Sequence, residues 1–329
     1  MAQLLKKLSG GEALSLDESY LLAREILSGG LSDVATTAVL TAMRCRGETA
    51  EEVAGFVKFA REVAVRVPLR VEAIDTAGTG GDGAGTINLS TAAAVVAAAA
   101  GARVLKHGNR SASGLYGSAD FMEAVGYNLD VGPEKAAEMV ERVGFAFVFA
   151  PKYHPAFAKV APVRRQLPFR TVFNLVGPLA NPGLVRRQLI GVAERRLLDV
   201  VGGVAALLLE FALVVYGSGV DEVSTEEPTE VVEVRRGAAE RYVVTPEDFG
   251  IQKTPIPRAS GREEAVALAL AGLRGEHKEA EAAIAANAAA ALYVASVVKD
   301  LRDGYELAVK TIREGAAYRK LLEAVEASQ

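Results

Sequence analysis

With 329 residues, 50% of them apolar and 24% charged, and a formal net charge of −4, the chain has an ordinary globular composition with core enough for one large or two modest domains. The slight acidity excludes a global attraction to nucleic acid or to an anionic membrane, so any phosphate-binding charge has to be local. The single cysteine, Cys45, excludes an intrachain disulfide and a zinc-finger framework, and indicates a reducing, cytoplasmic setting.

The N-terminus, Met1 to Leu8, carries Lys6 and Lys7 without an apolar run or cleavage site, so it does not read as a signal peptide. Helices follow with their caps written out. Ser15-x-x-Glu18 and Thr49-x-x-Glu52 are capping boxes, Ser32 caps a helix between them, and Gly29-Gly30 and Gly47 are stop signals. Cys45 falls on the middle helix and reads as a small buried hydrophobe. No strand signal occurs before Pro68, so residues 1–68 are expected to form a helical domain.

From Val71 the chain alternates strand-like and helix-like segments, the pattern of an α/β domain (69–329) with a mainly parallel central sheet flanked by helices. Strands are expected at Val71–Ile74, Arg103–Lys106, Phe145–Phe149, Leu189–Gly191 and Leu213–Tyr216. Shorter ones, added or antiparallel, are expected at Val231–Val234 and Tyr242–Val244. Helices are expected at Ser90–Ala100, Ser118–Val125, Pro133–Val143, Glu194–Leu209, Gly261–Leu270, Lys278–Val298 and Leu301–Gly315. The proline-punctuated, arginine-rich stretch within 155–182 is expected to leave the sheet and rejoin the helical domain. The apolar run Val200–Val215 is broken by Gly202-Gly203 and Glu210, too interrupted to span a bilayer.

Between the first strand and its helix lies Gly78-Thr79-Gly80-Gly81-Asp82, with Gly83, Gly85 and Thr86 behind it and Asn88, Ser90 and Thr91 at the helix start. Such a junction can turn backbone N–H groups onto an anion, with Ser90 or Thr91 as the cap. Gly78-x-Gly80-x-x-Gly83 also matches the dinucleotide fingerprint. That reading needs an acid about twenty residues on, and no Asp or Glu stands between Asp82 and Asp120. In its place is Lys106-His107-Gly108-Asn109-Arg110, followed by Ser111-x-Ser113-Gly114, so a phosphate-rich ligand fits better. Asp221-Glu222 after a buried strand suits Mg²⁺ together with substrate phosphates. Tyr153-His154-Pro155, Arg164, Arg165 and Arg170 have no neighbouring acids and could clamp a carboxylate.

These motifs, with Gly117-Ser118-Ala-Asp120, Arg170-Thr-x-Phe-Asn174, Gly177-Pro-Leu-x-Asn-Pro182, Arg44-x-Arg-Gly-Glu-Thr49 and Asn287-Ala-x-Ala-Ala-Leu-Tyr293, lie in the order seen in a known family. The chain resembles the anthranilate phosphoribosyltransferases over nearly its whole length. The resemblance implies a nucleoside phosphorylase/phosphoribosyltransferase-like fold and a homodimer. It implies transfer of the 5-phosphoribosyl group from 5-phosphoribosyl 1-diphosphate to the amine of anthranilate, with loss of diphosphate, in tryptophan biosynthesis.

By the same resemblance, Gly78, Thr79, Gly80, Gly81, Asp82, Thr86, Asn88, Ser90, Thr91, Lys106, Gly108, Asn109 and Ser118 bind the phosphoribosyl diphosphate. Ser90, Asp221 and Glu222 hold two Mg²⁺, while Gly78, His107, Asn109, His154, Arg164 and Gly177 receive anthranilate. Lys106, Asn109 and Arg164 carry the catalytic role, Arg164 by facing the anthranilate carboxylate. No covalent intermediate or strong base is expected, since the amine is already a nucleophile. Two departures stand out: Leu115-Tyr116 replaces a polar pair, and Pro168 replaces a glycine near Arg170. A non-catalytic or nucleic-acid-binding relative on the same fold would have lost these motifs and gained a basic surface. A nucleoside phosphorylase would carry a different phosphate loop.

Overall fold

The structure, a computed structural model, describes residues 1–111 and 116–329. Four helices open the chain: α1 (Ala2–Ser9), α2 (Leu16–Ser28), α3 (Asp33–Arg46) and α4 (Ala50–Glu62). Both capping boxes form. The second does more than cap, because the buried Glu52 accepts N–H groups from Thr49 (3.0 Å) and Leu14 (2.9 Å) and pairs with Arg46. A carboxylate with no water contact is thereby satisfied from three separate segments. Cys45 is exposed rather than buried. It lies two residues, about 200° of helical turn, from the buried Met43.

Among the described residues seven strands follow: β1 (Ile74–Gly78), β2 (Val104–Gly108), β3 (Phe145–Phe149), β4 (Arg187–Gly191), β5 (Phe211–Tyr216), β6 (Thr229–Arg235) and β7 (Ala238–Val244). They lie in the order β3-β2-β1-β4-β5-β6-β7, parallel through β5 and antiparallel for the last two. Between and after them run α5 (Leu89–Ala99), α6 (Ser118–Ala124), α7 (Pro133–Arg142), α8 (Ala150–Tyr153), α9 (Ala161–Gln166), α10 (Val172–Leu179), α11 (Leu197–Leu208), α12 (Arg262–Leu273), α13 (Lys278–Val294), α14 (Leu301–Arg313) and α15 (Ala316–Ser328).

Alternation along the strands divides the core. Leu189, Leu213, Val215 and Val231 join the cluster of α5, α13, α14 and α15. Ile190, Val214, Val232 and Val234 join α11, α10 and the N-terminal helices on the other face. Side chains two apart share a face, so each strand feeds both layers. Val160, Val163, Val172 and Phe173, from the stretch that leaves the sheet, pack in this second cluster too.

Several boundaries differ from expectation. The first strand starts at Ile74 and runs to Gly78 rather than covering Val71–Ile74. Its polar Asp75 and Thr76 are fully buried and satisfied by side chains and backbone distant in sequence, which an apolar-run criterion does not see. The second strand likewise extends to Gly108. The helix expected over Lys278–Val298 ends at Val294, and α15 covers a stretch for which no helix was expected.

Past Ile74, paired with Val104, the β1–β2 ladder has no further registered pair, whereas β1–β4 and β2–β3 stay in register to Gly78–Gly191 and Gly108–Phe149. The Asn181 amide fills the wedge, donating to Asp75 Oδ2 and to Leu105 O, both at 2.8 Å. The chain steps from β1 to β2 and β3 on one side and returns to β4 and β5 on the other. The carboxyl end of β1 is therefore the switch point where such sheets open a crevice.

Candidate active site

The loop after β1 lies in that crevice. Gly80, Gly81, Gly83 and Gly85 take positive φ of 62°, 74°, 71° and 67°, backbone that L side chains rarely adopt and that exposes N–H groups on one side. Helix α5 begins at Leu89 with Asn88, not Ser90 or Thr91, in the cap position. Thr91 is fully buried and donates its hydroxyl to Asn88 Oδ1 at 2.8 Å.

Orphan donors at the loop and at the helix start meet carboxylates brought by the segment after β5. Gly80 N donates to Asp221 Oδ2 at 2.6 Å, and Ser90 N donates to Glu222 Oε1 at 3.2 Å. Asp221 lies across the carboxyl ends of β1 and β4. A Cβ on Gly78 would collide with its carboxylate, and one on Gly191 with its backbone carbonyl. The loop acid Asp82 accepts Asp221 N at 3.4 Å.

Burial, and then the neighbouring Asp82 charge, push the Asp221 carboxyl up to about 6. Burial and the Asp221 charge hold Glu222 well above the ordinary carboxylate range. Crowded buried acids resist carrying full charge unless a cation joins them. Among the described residues no group of three or more His, Cys, Asp or Glu is arranged as a metal centre. Mg²⁺, however, needs only one or two carboxylates and completes its shell with water and phosphate oxygens. The all-oxygen donors of Asp221, Glu222 and Ser90 fit such an ion.

Lys106, on β2, is 2% exposed and reaches across the wedge. Its ammonium donates to Thr76 O and lies 3.3 Å from Ser90 Oγ. Burial lowers its pKa, and Asp75, Glu222 and Asp221 oppose that shift by favouring the charged form, at the foot of the acid pair. Asp75 accepts His107 N at 3.2 Å and is itself raised to about 6 by burial. Asn109 and Ser118 clasp each other, Asn109 N donating to Ser118 Oγ and that hydroxyl to Asn109 O, both at 3.2 Å. A Cβ on Gly108 would strike Ser118 Oγ and the Phe147 ring.

His107, the next residue along β2, faces the opposite way from Lys106. Its ring meets His154 with centroids 5.0 Å apart, His154 meets Phe157 at 5.3 Å, and Phe157 meets Phe173 at 5.5 Å. The Arg164 guanidinium lies 5.6 Å over the Phe173 ring. Burial holds His107 well below its usual range and His154 down to about 4, so both are neutral at pH 7. His107 Nε2 and both ring nitrogens of His154 are buried without a hydrogen-bond partner among the described residues. No ion pair of Arg164 occurs among the described residues. A Cβ on Gly177, in α10, would meet open space. An aromatic row ending in an unpaired, partly buried cation is suited to a flat, apolar carboxylate.

The expected residues thus divide into two groups. Gly78 to Asp82, Thr86, Asn88, Ser90, Lys106, Asp221 and Glu222 gather at the switch point. His107, His154 and Arg164 lie along the aromatic row, and Gly108, Asn109 and Ser118 meet at the end of β2. Thr91 is sealed inside. Ala112 to Leu115, hence Ser113, Gly114 and Leu115 among the residues singled out above, fall outside the described residues. Tyr116 is described, and it donates to Thr86 O at 2.7 Å, behind the glycine loop. Sequence reasoning missed this contact, the Asp75–Asn181 wedge, and Phe157 and Phe173. Asn181 and Phe173 sit inside the motifs that carry the resemblance and Asp75 lies three residues before the glycine loop, whereas Phe157 carries no such signal.

Comparison with known proteins points to one family. A profile of the glycosyl transferase family helical bundle domain matches residues 2–64, and one of the glycosyl transferase family α/β domain matches residues 70–318. The anthranilate phosphoribosyltransferase of Pyrobaculum islandicum is 85% identical over the full length of both chains. The crystal structure of the Thermus thermophilus anthranilate phosphoribosyltransferase superposes with a TM-score of 0.93 at 40% identity, covering 99% of each chain. The structure of the Saccharomyces cerevisiae anthranilate phosphoribosyltransferase in complex with PRPP and Mg gives 0.88 at 25% identity over 99% of this chain and 98% of the other.

Proposed function

Because the chain belongs to the anthranilate phosphoribosyltransferase family, we propose that its cleft joins 5-phosphoribosyl 1-diphosphate to the amine of anthranilate and releases diphosphate, a step of tryptophan biosynthesis. The observation that carries this reading is the meeting of the Gly80 and Ser90 N–H groups with Asp221 and Glu222, beside the buried Lys106. Breaking the bond from C1 to diphosphate needs charge neutralised on the leaving group rather than a protein nucleophile. Loop N–H groups, the start of α5 and the Lys106 ammonium supply it at fixed positions. Mg²⁺, as two ions held by Asp221, Glu222 and Ser90, adds cationic charge to the diphosphate when bound.

The amine needs placement. Arg164 takes the anthranilate carboxylate, the His107–His154–Phe157–Phe173 row takes the ring, and Asn109 and Gly177 border its path. Attack in line with the departing diphosphate then gains from orientation alone. Two neutral, buried histidines add no charge of their own beside Arg164. The amine proton leaves after C–N bond formation, when the nitrogen has become acidic, so no strong base is required.

We assign residues 1–68, with part of 155–182, to the helical domain and 69–329 to the substrate-binding domain. The packing of Val160, Val163 and Phe173 with α1–α4 supports joining that stretch to the helical domain, in a core that also takes in α11 and one face of the sheet. We also take the protein to act as a cytoplasmic homodimer without a nucleic-acid or membrane partner; the negative net charge is consistent with this. The test is anthranilate fluorescence, which should decay only when phosphoribosyl diphosphate and Mg²⁺ are both present. Stable fluorescence under those conditions would refute the reading.

A further inference from the structure

Arg170 stands out among the cations of the 155–182 stretch because its guanidinium is engaged by backbone rather than left for a ligand. It lies between α9 and α10, half-buried, in a segment that packs with the N-terminal helices. From there it crosses to the glycine loop, where Nη2 donates to Thr79 O at 2.6 Å and Nη1 donates to Gly80 O. Glu194, Asp221 and Asp82 are the acids whose field it feels.

In a trans peptide the C=O and the following N–H point in opposite directions. Holding the carbonyls of Thr79 and Gly80 on the Arg170 side therefore aims the N–H groups of Gly80 and Gly81 at the other side. Gly80 N is indeed turned toward the acid pair, donating to Asp221 Oδ2 at 2.6 Å. The far end of the loop is pinned differently. Ile87 N donates to Pro257 O at 3.2 Å, Ala259 N donates to Gly85 O at 2.9 Å, and the Tyr116 hydroxyl donates to Thr86 O. At the near end Gly80 and Gly81 have positive φ, offer no side chains, and have no steric preference for one peptide orientation, while Thr79 is tied to the β4 side by its N donating to Gly191 O at 2.9 Å and by Ala193 N donating to its hydroxyl at 3.0 Å.

We propose that Arg170 is a positioning residue of the diphosphate cradle, fixing the peptides that present the Gly80 and Gly81 N–H groups without itself touching the substrate. The proposal rests on the phosphoribosyl diphosphate reading of this cleft. A planar, two-armed guanidinium can span two consecutive carbonyls, whereas an ammonium cannot hold both in the same geometry.

The test compares Arg170→Lys and Arg170→Gln with the wild-type chain in two ways. The first is hydrogen exchange of the backbone amides of residues 78–82 without substrate. The second is steady-state KM for each substrate. Exchange should rise in both variants, and the KM for phosphoribosyl diphosphate should rise about tenfold in Arg170→Lys and more in Arg170→Gln, with the KM for anthranilate within about twofold. Three outcomes overturn the proposal: unchanged exchange in 78–82, a phosphoribosyl diphosphate KM like the wild type, or equal rises in both KM values with a lowered Tm. The raised KM with unchanged exchange would instead make Arg170 a direct phosphate ligand. If Arg170→Gln does not fold, Arg170→Lys alone decides. Absence of any transfer by the wild type would refute the functional reading, while the exchange measurement still decides how the loop is held.

Discussion

Asp221 and Glu222 accept the N–H groups of Gly80 and Ser90, the same donors that the proposed reading gives to a diphosphate, so the two acids stand where anionic oxygen is wanted. The arrangement has a stability consequence. The Asp221 carboxyl releases its proton near 3.8 in the unfolded chain but only at about 6 in the folded one. Between those values the folded state holds more protons, so stability falls as pH rises from about 4 to about 6, and the full cost, about 3 kcal/mol, stands at neutral pH. Asp221→Asn should therefore stabilise the Mg²⁺-free protein by about 1–3 kcal/mol at pH 7.5, an advantage that shrinks toward pH 4. Urea unfolding in chelator at the two pH values measures it, and a destabilised variant at pH 7.5 would contradict the account. Asp221→Asn combined with Glu222→Gln should lower Mg²⁺-dependent turnover by about a hundredfold or more. Arg164→Ala should raise the anthranilate KM by about tenfold or more and leave that for phosphoribosyl diphosphate nearly unchanged, because the guanidinium has no acid partner among the described residues.

At the scale of elements, capping signals were the most legible part of the chain. Both boxes form where Ser15-x-x-Glu18 and Thr49-x-x-Glu52 predict, since a cap is a local exchange between residues three apart. Glu52 also shows what local reading leaves out: its bonds to Leu14 N and Arg46 tie α4 to the α1–α2 connection and to α3. Glu52→Ala leaves a buried N–H unpaired and should cost about 2–4 kcal/mol, seen as an earlier thermal transition. A loss below about 1 kcal/mol would reduce Glu52 to an ordinary cap. Strand β1 was misplaced for the converse reason. Asp75 and Thr76 look like loop residues until Asn181, more than a hundred positions away, closes the wedge beside them. The glycine loop and the Lys106–Arg110 cluster were legible as motifs. The target of Arg170 was not, because backbone carbonyls leave no mark in a sequence.

For the whole molecule, the decisive fact is topological. The sheet steps outward from β1 in both directions, so the loops after β1, β2 and β5 converge on one crevice. One face of β2 turns Lys106 toward the acid pair, and the other turns His107 toward the aromatic row and Arg164. On the proposed reading the first group serves the leaving diphosphate and the second the nucleophile, and the converging loops bring both to one crevice, where a direct displacement at C1 needs them on either side of that carbon. The most direct test is a crystal structure with phosphoribosyl diphosphate and Mn²⁺ in place of Mg²⁺, using the anomalous signal of the metal. The account predicts metal peaks beside Asp221 and Glu222, with the diphosphate on the N–H groups of Gly80, Gly81 and Ser90. Metal or diphosphate bound away from that crevice would contradict it.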